Sequence, residues 1–476
     1  MSKRTLDLVV AAPHVLTMEG DGVGYRSNHA LAVEAGKIEA VGPEEEILGS
    51  YSPERLIRRK NTILLPGFVD AHCHMEMSVL RGLAQDTKDW MMSGLVPFAR
   101  HLNKEDRKTG FMLGLLESVA AGTTTVGNYD TEIGDEAEIV EKVGIRGQLT
   151  QIFREVPDRI YKKGDLYELD RSMGISSVEG MLELFDRWNG KAGGRIRVLF
   201  GPMAPDFVSP ETFTSVHHLA KERRTLLHTH VAQGDRETYQ MVKRYGKRTI
   251  PWLMEQGLLD ESVIAVHLTD ATDEEAGMVA RSGASMVLCS NSIGIIDGIV
   301  PPTKAFLDAG GVVGLGSDQA PGNNNHNMFS EMHATALFNK IKYSDPEVMP
   351  AWQVLRMATT EGAKAIGLGD VVGSLEEGKR ADFILIDLES PTMTPVYTHP
   401  MRNLVPNLVY ACRGNEVVMT AVDGRVLYEE GCYLTLDNSW IRERVPSTVE
   451  RIRRASEVEF RRIDGINKKF MEDGKL

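Results

Sequence analysis

Eight short apolar segments alternate with longer helical patterns across residues 66–368, and this alternation most constrains the fold. The apolar segments cover residues 67–75, 123–130, 145–153, 195–204, 225–232, 263–269, 285–292 and 312–318. Most are apolar at successive positions, which is typical of parallel strands covered by helices on both faces. Eight such strand–helix units predict a (β/α)8 TIM barrel, in which active-site residues gather at the carboxyl ends of the strands. An open doubly wound sheet would more often show a Gly-rich phosphate turn after its first strand, and the sequence has none.

Strand patterns without helices flank the barrel on both sides. Val-, Ile- and Leu-rich runs separated by Gly-containing turns fill the first 65 residues, and similar runs return in residues 369–435. We therefore expect a small composite β-sandwich domain made of these two segments, with the barrel inserted between them. Residues 436–476 carry both charge signs in a helical pattern and predict a C-terminal helical tail. This tail could pack either on a neighbouring copy of the chain or around its own barrel, and the sequence leaves both arrangements open.

Composition excludes several classes of function. The net charge of -13 argues against nucleic acid as a partner, because phosphate binding needs clustered Lys and Arg. No stretch approaches the roughly 18 apolar residues of a membrane span, and the N-terminal apolar run is too short for a signal peptide. The four cysteines lie far apart without a CxxC pair, so neither a disulfide framework nor a cysteine zinc site is expected. A reducing cytoplasm is the simplest compartment.

Residue types that bind metals end four of the predicted strands. They are His72 and His74, His228 and His230, His267, and Asp318. Side chains alternate along a strand, so two histidines two residues apart point to the same side. Zinc and similar cations favour imidazole nitrogens and also accept carboxylate oxygens. Because all these strand ends lie at one end of a barrel, we predict a divalent metal site there.

Several longer motifs occur in a consistent order along the chain. They are LLPGFVDAHCHMEMSVLRG, KDWM, AAGTTTV, LHTH, GLGSD, RMATTEGAKAIGL and GSLEEGKRADFILID. Together they resemble the amidohydrolase superfamily, within it the branch of aminoheterocycle deaminases and s-triazine hydrolases, which includes chlorohydrolases and S-adenosylhomocysteine deaminases. The resemblance extends to about residue 435 and implies a specific metal ligand set: His72, His74, His230, His267 and Asp318.

The resemblance also bears on the number of metal ions and on the reaction. Relatives with two metals usually carry a bridging carboxylated lysine at the end of strand four, where this chain reads VLFGPMAPD. One divalent ion per chain is therefore expected; zinc is favoured, and iron and manganese are compatible with the ligand types. Such an ion brings the pKa of its bound water from about 15.7 to roughly 7, so that hydroxide can attack an sp² carbon. Asp318 and His267 are the candidates to accept the proton of that water.

One position departs from the branch at a catalytically important place. Deaminases of the branch have a glutamate three residues after the strand-five ligand, where this chain has Gln233 after His230. Glutamine cannot exchange a proton at neutral pH, and general acid–base catalysis is commonly worth about 10²–10⁴-fold. Three accounts stay open. Asp235 or Glu76 takes the role, the substrate needs no such acid, or the chain is a metal-binding paralogue with little activity.

Further residues are expected to face the pocket and to contact substrate: Trp90, Asn128, Met203, His228, Gln233 and Asn291. For most of them a purely structural role is an equal alternative, such as core packing or hydrogen bonding within a turn. The reaction that the resemblance implies is hydrolytic cleavage of a C–N bond, namely deamination of a small purine-, pyrimidine-, pterin- or s-triazine-like heterocycle. Hydrolytic dechlorination and cyclic-amide hydrolysis are the enzymatic alternatives. Branch members are often homodimers or larger, so a homo-oligomer is also considered.

Overall fold

The computed structural model describes residues 3–83, 85–88, 90–157, 159, 161–162, 164–463 and 465–476. These residues form two nine-stranded sheets surrounded by helices. In chain order the strands are β1 (Arg4–Leu16), β2 (Tyr25–Glu34), β3 (Lys37–Pro43), β4 (Tyr51–Arg58), β5 (Thr62–Pro66), β6 (Phe68–His74), β7 (Thr123–Asp130), β8 (Arg146–Phe153), β9 (Ile196–Pro202), β10 (Leu227–Val231), β11 (Val263–His267), β12 (Ser285–Leu288), β13 (Val313–Leu315), β14 (Asp318–Gln319), β15 (Phe383–Asp387), β16 (Val417–Val422), β17 (Arg425–Glu429) and β18 (Cys432–Tyr433).

The helices fill the connections between strands and the C-terminal segment. They are α1 (Glu44–Ser50), α2 (Val96–Ala99), α3 (Lys104–Ala120), α4 (Ile133–Val143), α5 (Arg171–Trp188), α6 (Lys191–Gly194), α7 (Pro210–Arg223), α8 (Gly234–Tyr245), α9 (Thr249–Glu255), α10 (Asp273–Ser282), α11 (Ser290–Ile296), α12 (Thr303–Asp308), α13 (Ala320–Asn323), α14 (Met328–Tyr343), α15 (Ala351–Met357), α16 (Thr360–Ala365), α17 (Leu404–Tyr410), α18 (Asn438–Phe460) and α19 (Ile466–Glu472). A 3₁₀ helix (Met75–Leu80) and a π-helix (Trp90–Leu95) follow β6. None of the described helices is long and apolar enough to cross a membrane.

The parallel sheet closes into a barrel. Its order is β13-β12-β11-β10-β9-β8-β7-β6-β14, and its two ends are successive pieces of one interrupted strand. β13 pairs with β12 and β14 pairs with β6, so the eighth strand joins the seventh to the first. The interruption falls at Gly316, where an added Cβ would lie 2.6 Å from the carbonyl oxygen of His72. Only glycine allows this close approach, and the predicted (β/α)8 barrel is confirmed.

The second sheet combines both ends of the chain. β5 pairs antiparallel with β15, and the order continues to β18 on one side and to β3 on the other, with β4 also paired to β1. Successive residues of β1 pack on opposite faces, since Val10 and Val9 belong to different apolar clusters. The expected composite domain built from both termini is therefore present. The exact domain boundaries stay a prediction.

A buried ion pair connects the two sheets. Arg146, at the start of β8, donates hydrogen bonds to Asp382 at 2.9 and 3.0 Å and to Asp423 at 2.7 Å. Arg146 is 1% exposed, so its charge depends on these two carboxylates for compensation. The pair anchors the barrel on the terminal sheet.

Two predicted strand ends differ from the structure. The segment predicted as a strand over residues 285–292 ends at Leu288, because Ser290 already begins α11. Asn291, expected at the end of strand seven, therefore lies in the first turn of a helix. Ser and Asn are common where helices begin, so the apolar run alone overextended the strand. The strand predicted for residues 312–318 is interrupted at Gly316, between β13 and β14.

The C-terminal tail packs on its own barrel. Ile452 of α18 lies in an apolar cluster with Leu80, Phe98 and Leu102, which belong to the connection after β6. Arg451 also donates hydrogen bonds to Asp106, at the start of α3, and the bond from its Nε to the Oδ1 of Asp106 measures 3.1 Å. Of the two positions considered from the sequence, α18 occupies the one around its own barrel.

Candidate metal centre

Four histidines and one aspartate converge at the carboxyl ends of the barrel strands. His72 and His74 lie at the end of β6, His230 on β10, His267 on β11 and Asp318 on β14, and none is more than 7% exposed. Ring nitrogens of His72, His74 and His230 lie within 4.8 Å of one another, and so do ligand atoms of His72, His267 and Asp318. The Oδ1 of Asp318 is 3.7 Å from the Nε2 of His72 and 3.5 Å from that of His74. Two ligands about 2.1 Å from a tetrahedral zinc ion lie about 3.4 Å apart, so the donor set fits a divalent metal.

Two of these residues have strained backbones. His267 has φ of 79° and Asp318 has φ of 58°, both in the left-handed region that non-glycine residues rarely adopt. Such conformations cost about 1–3 kcal/mol and persist where the surrounding structure enforces them, often at active sites. Here they occur at the last residue of β11 and the first of β14. The strain thus falls where the strand ends direct these two side chains towards the cluster.

Hydrogen bonds behind the cluster orient two of the rings. The Nδ1 of His230 donates to the carbonyl oxygen of Met203 at 2.8 Å, which leaves Nε2 as its unprotonated nitrogen. The Nδ1 of His72 lies 2.9 Å from the Nε2 of His228, whose own Nδ1 lies 2.8 Å from the Thr150 hydroxyl. His228 therefore supports His72 from behind, as outer partners of metal-binding histidines do.

The front of the cluster contains buried nitrogens without partners. Among the described residues, neither the Nε2 of His72 nor either ring nitrogen of His267 has a hydrogen-bond partner. Burial lowers the pKa of His72 and His230 well below the usual value, and it lowers that of His267 to about 4. The imidazoles are therefore neutral, which is the form that binds metals.

Asp318 is held from its far side. The hydroxyl of Ser292, in α11, donates to its Oδ2, while Oδ1 faces the histidines. The preceding residue, Ser317, donates from its amide to Asp70 at 2.9 Å and from its hydroxyl at 2.5 Å. Burial raises the pKa of Asp70 to about 7. Ser292 and Asp70 were not singled out from the sequence, because neither has a fixed spacing to Asp318.

The loop that carries Gln233 is fixed by a buried carboxylate. Glu237, in the first turn of α8, accepts hydrogen bonds from the backbone amides of Ala232 and Gln233, both at 2.8 Å. The hydroxyl of Thr249 donates to it at 2.6 Å, and burial raises the pKa of Glu237 to about 7. Sequence reasoning missed this residue, although an acidic residue in the first turn of a helix is a recognisable signal.

The two acids considered as substitutes for the missing glutamate differ in position. Glu76 is 1% exposed, and its Oε1 lies 3.8 Å from the Nδ1 of His74, whereas the Nε2 of that ring faces Asp318. Glu76 therefore lies behind His74, away from the front of the cluster. Asp235 is an exposed residue of the first turn of α8.

A third acid, Asp297, lies beside the same loop. It follows the last turn of α11, and its Oδ1 is 3.5 Å from the position that a Cβ on Gly234 would occupy. Asp297 is an exposed residue whose carboxyl is only partly desolvated; this desolvation raises its pKa to about 6, and the charges of Asp235 and Asp318 contribute to the rise. Asp297 was not predicted, since only the folded chain brings the loops after β10 and β12 together.

The residues expected to contact substrate fall into two groups. Asn128 and His228 are fully buried, and the amide of Asn128 accepts from the Met75 amide at 2.9 Å and donates to Glu136 at 2.8 Å. Asn291 donates to Ser330 at 2.9 Å and to Glu331 at 2.8 Å. These three side chains already have structural partners.

The remaining candidates are Trp90, Met203 and Gln233. Met203 and Gln233 are partly exposed. Trp90 begins the π-helix after β6, is 7% exposed, and its Nε1 has no hydrogen-bond partner among the described residues. π-Helical turns occur frequently at functional sites.

Comparisons with known proteins identify the family and the fold that the chain resembles. Residues 63–427 match the profile of the amidohydrolase family. A 5-methylthioadenosine/S-adenosylhomocysteine deaminase of Desulforamulus reducens is 32% identical over 448 residues, covering 94% of this chain and 99% of that protein. A 5'-deoxyadenosine deaminase of Methanosarcina mazei is 31% identical over 451 residues, covering 94% and 98%. The crystal structure of an adenosine deaminase from Xanthomonas campestris with bound zinc superposes with a TM-score of 0.87 at 28% identity, covering 95% of this chain and 100% of that one.

Proposed function

The chain belongs to the amidohydrolase family, and from that premise we propose that it catalyses the hydrolytic deamination of an aminated nitrogen heterocycle. The observation that carries the proposal is the convergence of neutral imidazoles and one carboxylate at the mouth of the barrel. We propose that His72, His74, His230, His267 and Asp318 together hold one metal ion. The single ion is supported by the absence of lysine from β9, where a bridging ligand would belong. The nitrogen and oxygen donors favour zinc, and they also accept iron and manganese.

The residues of the chain divide the remaining work among them. A bound divalent ion supplies hydroxide at neutral pH by lowering the pKa of water to roughly 7. Asp318 is placed to accept a proton at Oδ1, because Ser292 holds its Oδ2 and so keeps the carboxylate oriented. His267, whose two ring nitrogens have no partner among the described residues, is the second candidate for this proton. His228 and Met203 keep His72 and His230 in the required orientation.

Proton delivery to the leaving group needs a residue other than Gln233. We assign it to Asp297, because its carboxyl lies next to Gly234 and its pKa of about 6 keeps part of it protonated near neutrality. The charged groups that act on Asp297 are Arg236, which lowers its pKa, and Asp235, Asp270 and Asp318, which raise it. Gln233 retains the ability to hydrogen-bond a ring nitrogen.

The proposed substrate class follows from the relatives. The deaminases described above are named for adenosine, 5'-deoxyadenosine, 5-methylthioadenosine and S-adenosylhomocysteine. We therefore propose an aminopurine nucleoside as the first substrate class to test, with Trp90 against the flat ring. Pterins, aminopyrimidines and aminotriazines follow as small heterocycles of similar shape. The unpaired cysteines are consistent with catalysis in the cytoplasm, and a homo-oligomer stays a prediction.

An ammonia-release screen over these four classes tests the proposal. We expect release from at least one aminopurine by the zinc-loaded protein and none from His267→Ala, which should also lose the metal. Chloride release or ring opening without ammonia would replace deamination by the dechlorinating or amide-hydrolysing alternative. If neither the native chain nor Gln233→Glu released any product from any substrate class, the protein would be a metal-binding protein without this activity.

A further inference from the structure

A second group of buried acids lies outside the proposed ligand set. Glu76 belongs to the 3₁₀ helix after β6, Asp130 ends β7 and Glu136 lies in α4. They are 1%, 1% and 3% exposed, and one carboxylate oxygen of each lies within 4.8 Å of the others. The consecutive elements β7 and α4 and the distant 3₁₀ helix after β6 thus bring three carboxylates to one buried point.

The described residues around these acids compensate only part of their charge. Arg107 donates to Asp130 at 2.8 Å and is the cation that contacts the group. With all three carboxylates ionised, one guanidinium would leave two negative charges in a buried environment, where unpaired charge is strongly disfavoured. Burial accordingly raises the pKa of Glu76 and of Glu136 well above the usual value. One divalent cation would neutralise this excess in place of protons.

The orphaned oxygens point to the same conclusion. Among the described residues, both oxygens of Glu76, Oδ2 of Asp130 and Oε1 of Glu136 have no hydrogen-bond donor. The Nδ1 of His74, 3.8 Å from Glu76, is also buried and without a partner there. Native proteins seldom leave so many buried polar atoms unsatisfied at one place, and a bound ion would satisfy the carboxylate oxygens together. Glu76 is decisive, because it comes from outside the β7–α4 unit and directs an unpartnered carboxylate into it.

We propose that Glu76, Asp130 and Glu136 bind a second divalent cation, of the oxygen-preferring class of Ca²⁺ and Mg²⁺. The three oxygens lie within 4.8 Å of one another, which is within the roughly 4.6–5.2 Å that separates opposite ligands around Ca²⁺. Mg²⁺, whose opposite ligands lie about 4.0–4.2 Å apart, needs a tighter arrangement of the same oxygens. Three carboxylates without imidazole or thiolate donors favour these ions over zinc.

The site borders the surface, and its occupation would have a structural consequence. A small crevice lined by Lys104, Arg107, Lys108, Asp130 and Glu136 lies beside two of the three carboxylates. A cation there would tie the connection after β6 to α4 and hold Glu76 behind His74. The proposal is independent of deamination, because none of its three ligands belongs to the catalytic set.

Calcium binding to the zinc-loaded, folded protein tests the inference. We expect equilibrium dialysis and elemental analysis to give one Ca²⁺ per chain in addition to zinc, and the thermal unfolding midpoint to rise with added CaCl₂. Glu136→Gln, which keeps an oxygen to accept from Asn128, should lose the Ca²⁺ and the rise while retaining zinc. Glu132→Gln is the matched control, since Glu132 is exposed and lines the same crevice outside the cluster. Asp318→Asn should show the reverse pattern, with zinc lost and Ca²⁺ retained.

Two outcomes would overturn the proposal. One is the absence of Ca²⁺, Mg²⁺ and Mn²⁺ binding by the native protein at millimolar concentrations, in which case protons neutralise the cluster. The other is unchanged Ca²⁺ stoichiometry in Glu136→Gln and in Glu76→Gln, the second variant that guards against misfolding of the first. Because the experiment measures Ca²⁺ binding, it tests the second cation site even if the protein releases no ammonia in the screen.

Discussion

The hydrogen-bonded chain Thr150–His228–His72 predicts a specific loss of metal affinity when its middle member is removed. His228 and His72 are both 0% exposed, and the two bonds of His228 measure 2.9 and 2.8 Å. His228→Leu leaves the Nδ1 of His72 buried without a partner, which costs about 1–3 kcal/mol. Orienting partners of metal-binding histidines are worth about 10–100-fold in metal affinity. That range corresponds to about 1.4–2.7 kcal/mol, so the two magnitudes agree.

The assay is a competition between the protein and a zinc-binding dye of known affinity, at fixed pH. We expect His228→Leu to bind zinc about 10–100-fold more weakly and Thr150→Val to show a smaller loss, because it weakens the chain one step further away. His217→Leu is the matched control. His217 is also a buried histidine, 2% exposed, but lies on α7 beside Asp260 and outside the barrel.

The control separates metal binding from general stability. Both His→Leu variants remove a buried imidazole, so both are expected to change the urea midpoint, whereas only His228→Leu should change zinc affinity. Equal zinc affinity for the native protein and His228→Leu, or equal losses in the two variants, would refute the argument that His228 orients His72.

Three further outcomes follow from the structure. Gly316→Ala places a Cβ 2.6 Å from the carbonyl oxygen of His72 and should cost about 1–3 kcal/mol in urea unfolding, with lower zinc content; native-like stability would contradict the close approach. Asp297→Asn should lower kcat and remove a pH dependence centred near 6. An acid with a pKa of about 6 is protonated below pH 6, so activity that needs the protonated acid declines as the pH rises through 6. In the Gln233→Glu background the same substitution should have much less effect, and equal effects in both backgrounds would exclude Asp297 as the acid. Arg146→Met should cost about 3–5 kcal/mol in unfolding without changing zinc stoichiometry, because it leaves the buried carboxylate of Asp382 without its ion-pair partner, whereas Asp423 keeps Arg195 and Arg380.

Much of the fold was predictable because each signal was local. Apolar runs buried on both faces predict parallel strands, and a capping pair such as Asn103 with Asp106 marks the start of α3 in the sequence itself. The strand ending at Leu288 shows the limit of this reasoning. The predicted strand was continued past its apolar residues into the polar Ser290 and Asn291, which begin a helix instead.

The proposed ligands could be identified because strand ends of a closed barrel meet at one place whatever the intervening sequence. The supporting residues could not be identified this way. Ser292 and Asp70 act through contacts between elements that are apart in the chain, and no spacing predicts them. Glu237 is different, because it contacts the neighbouring amides of Ala232 and Gln233 from the first turn of α8. His228 was equally compatible with a core role and a metal-supporting role, and only its hydrogen bonds to His72 and Thr150 favour the second.

Gln233 illustrates why a motif in one strand is an incomplete guide to catalysis in a barrel. In sequence, its replacement of glutamate removes a proton donor and leaves Asp235 and Glu76 as the candidate substitutes. In the folded chain the loop after β12 brings Asp297 against Gly234, so an acid from another strand reaches the same rim of the pocket. The eight loops of a barrel surround one opening, so a different loop can supply the proton-donating residue while the metal ligands remain on the same strands. The loss of glutamate at one position is thus compatible with retained hydrolysis, provided that the acid is sought across the mouth rather than along the motif.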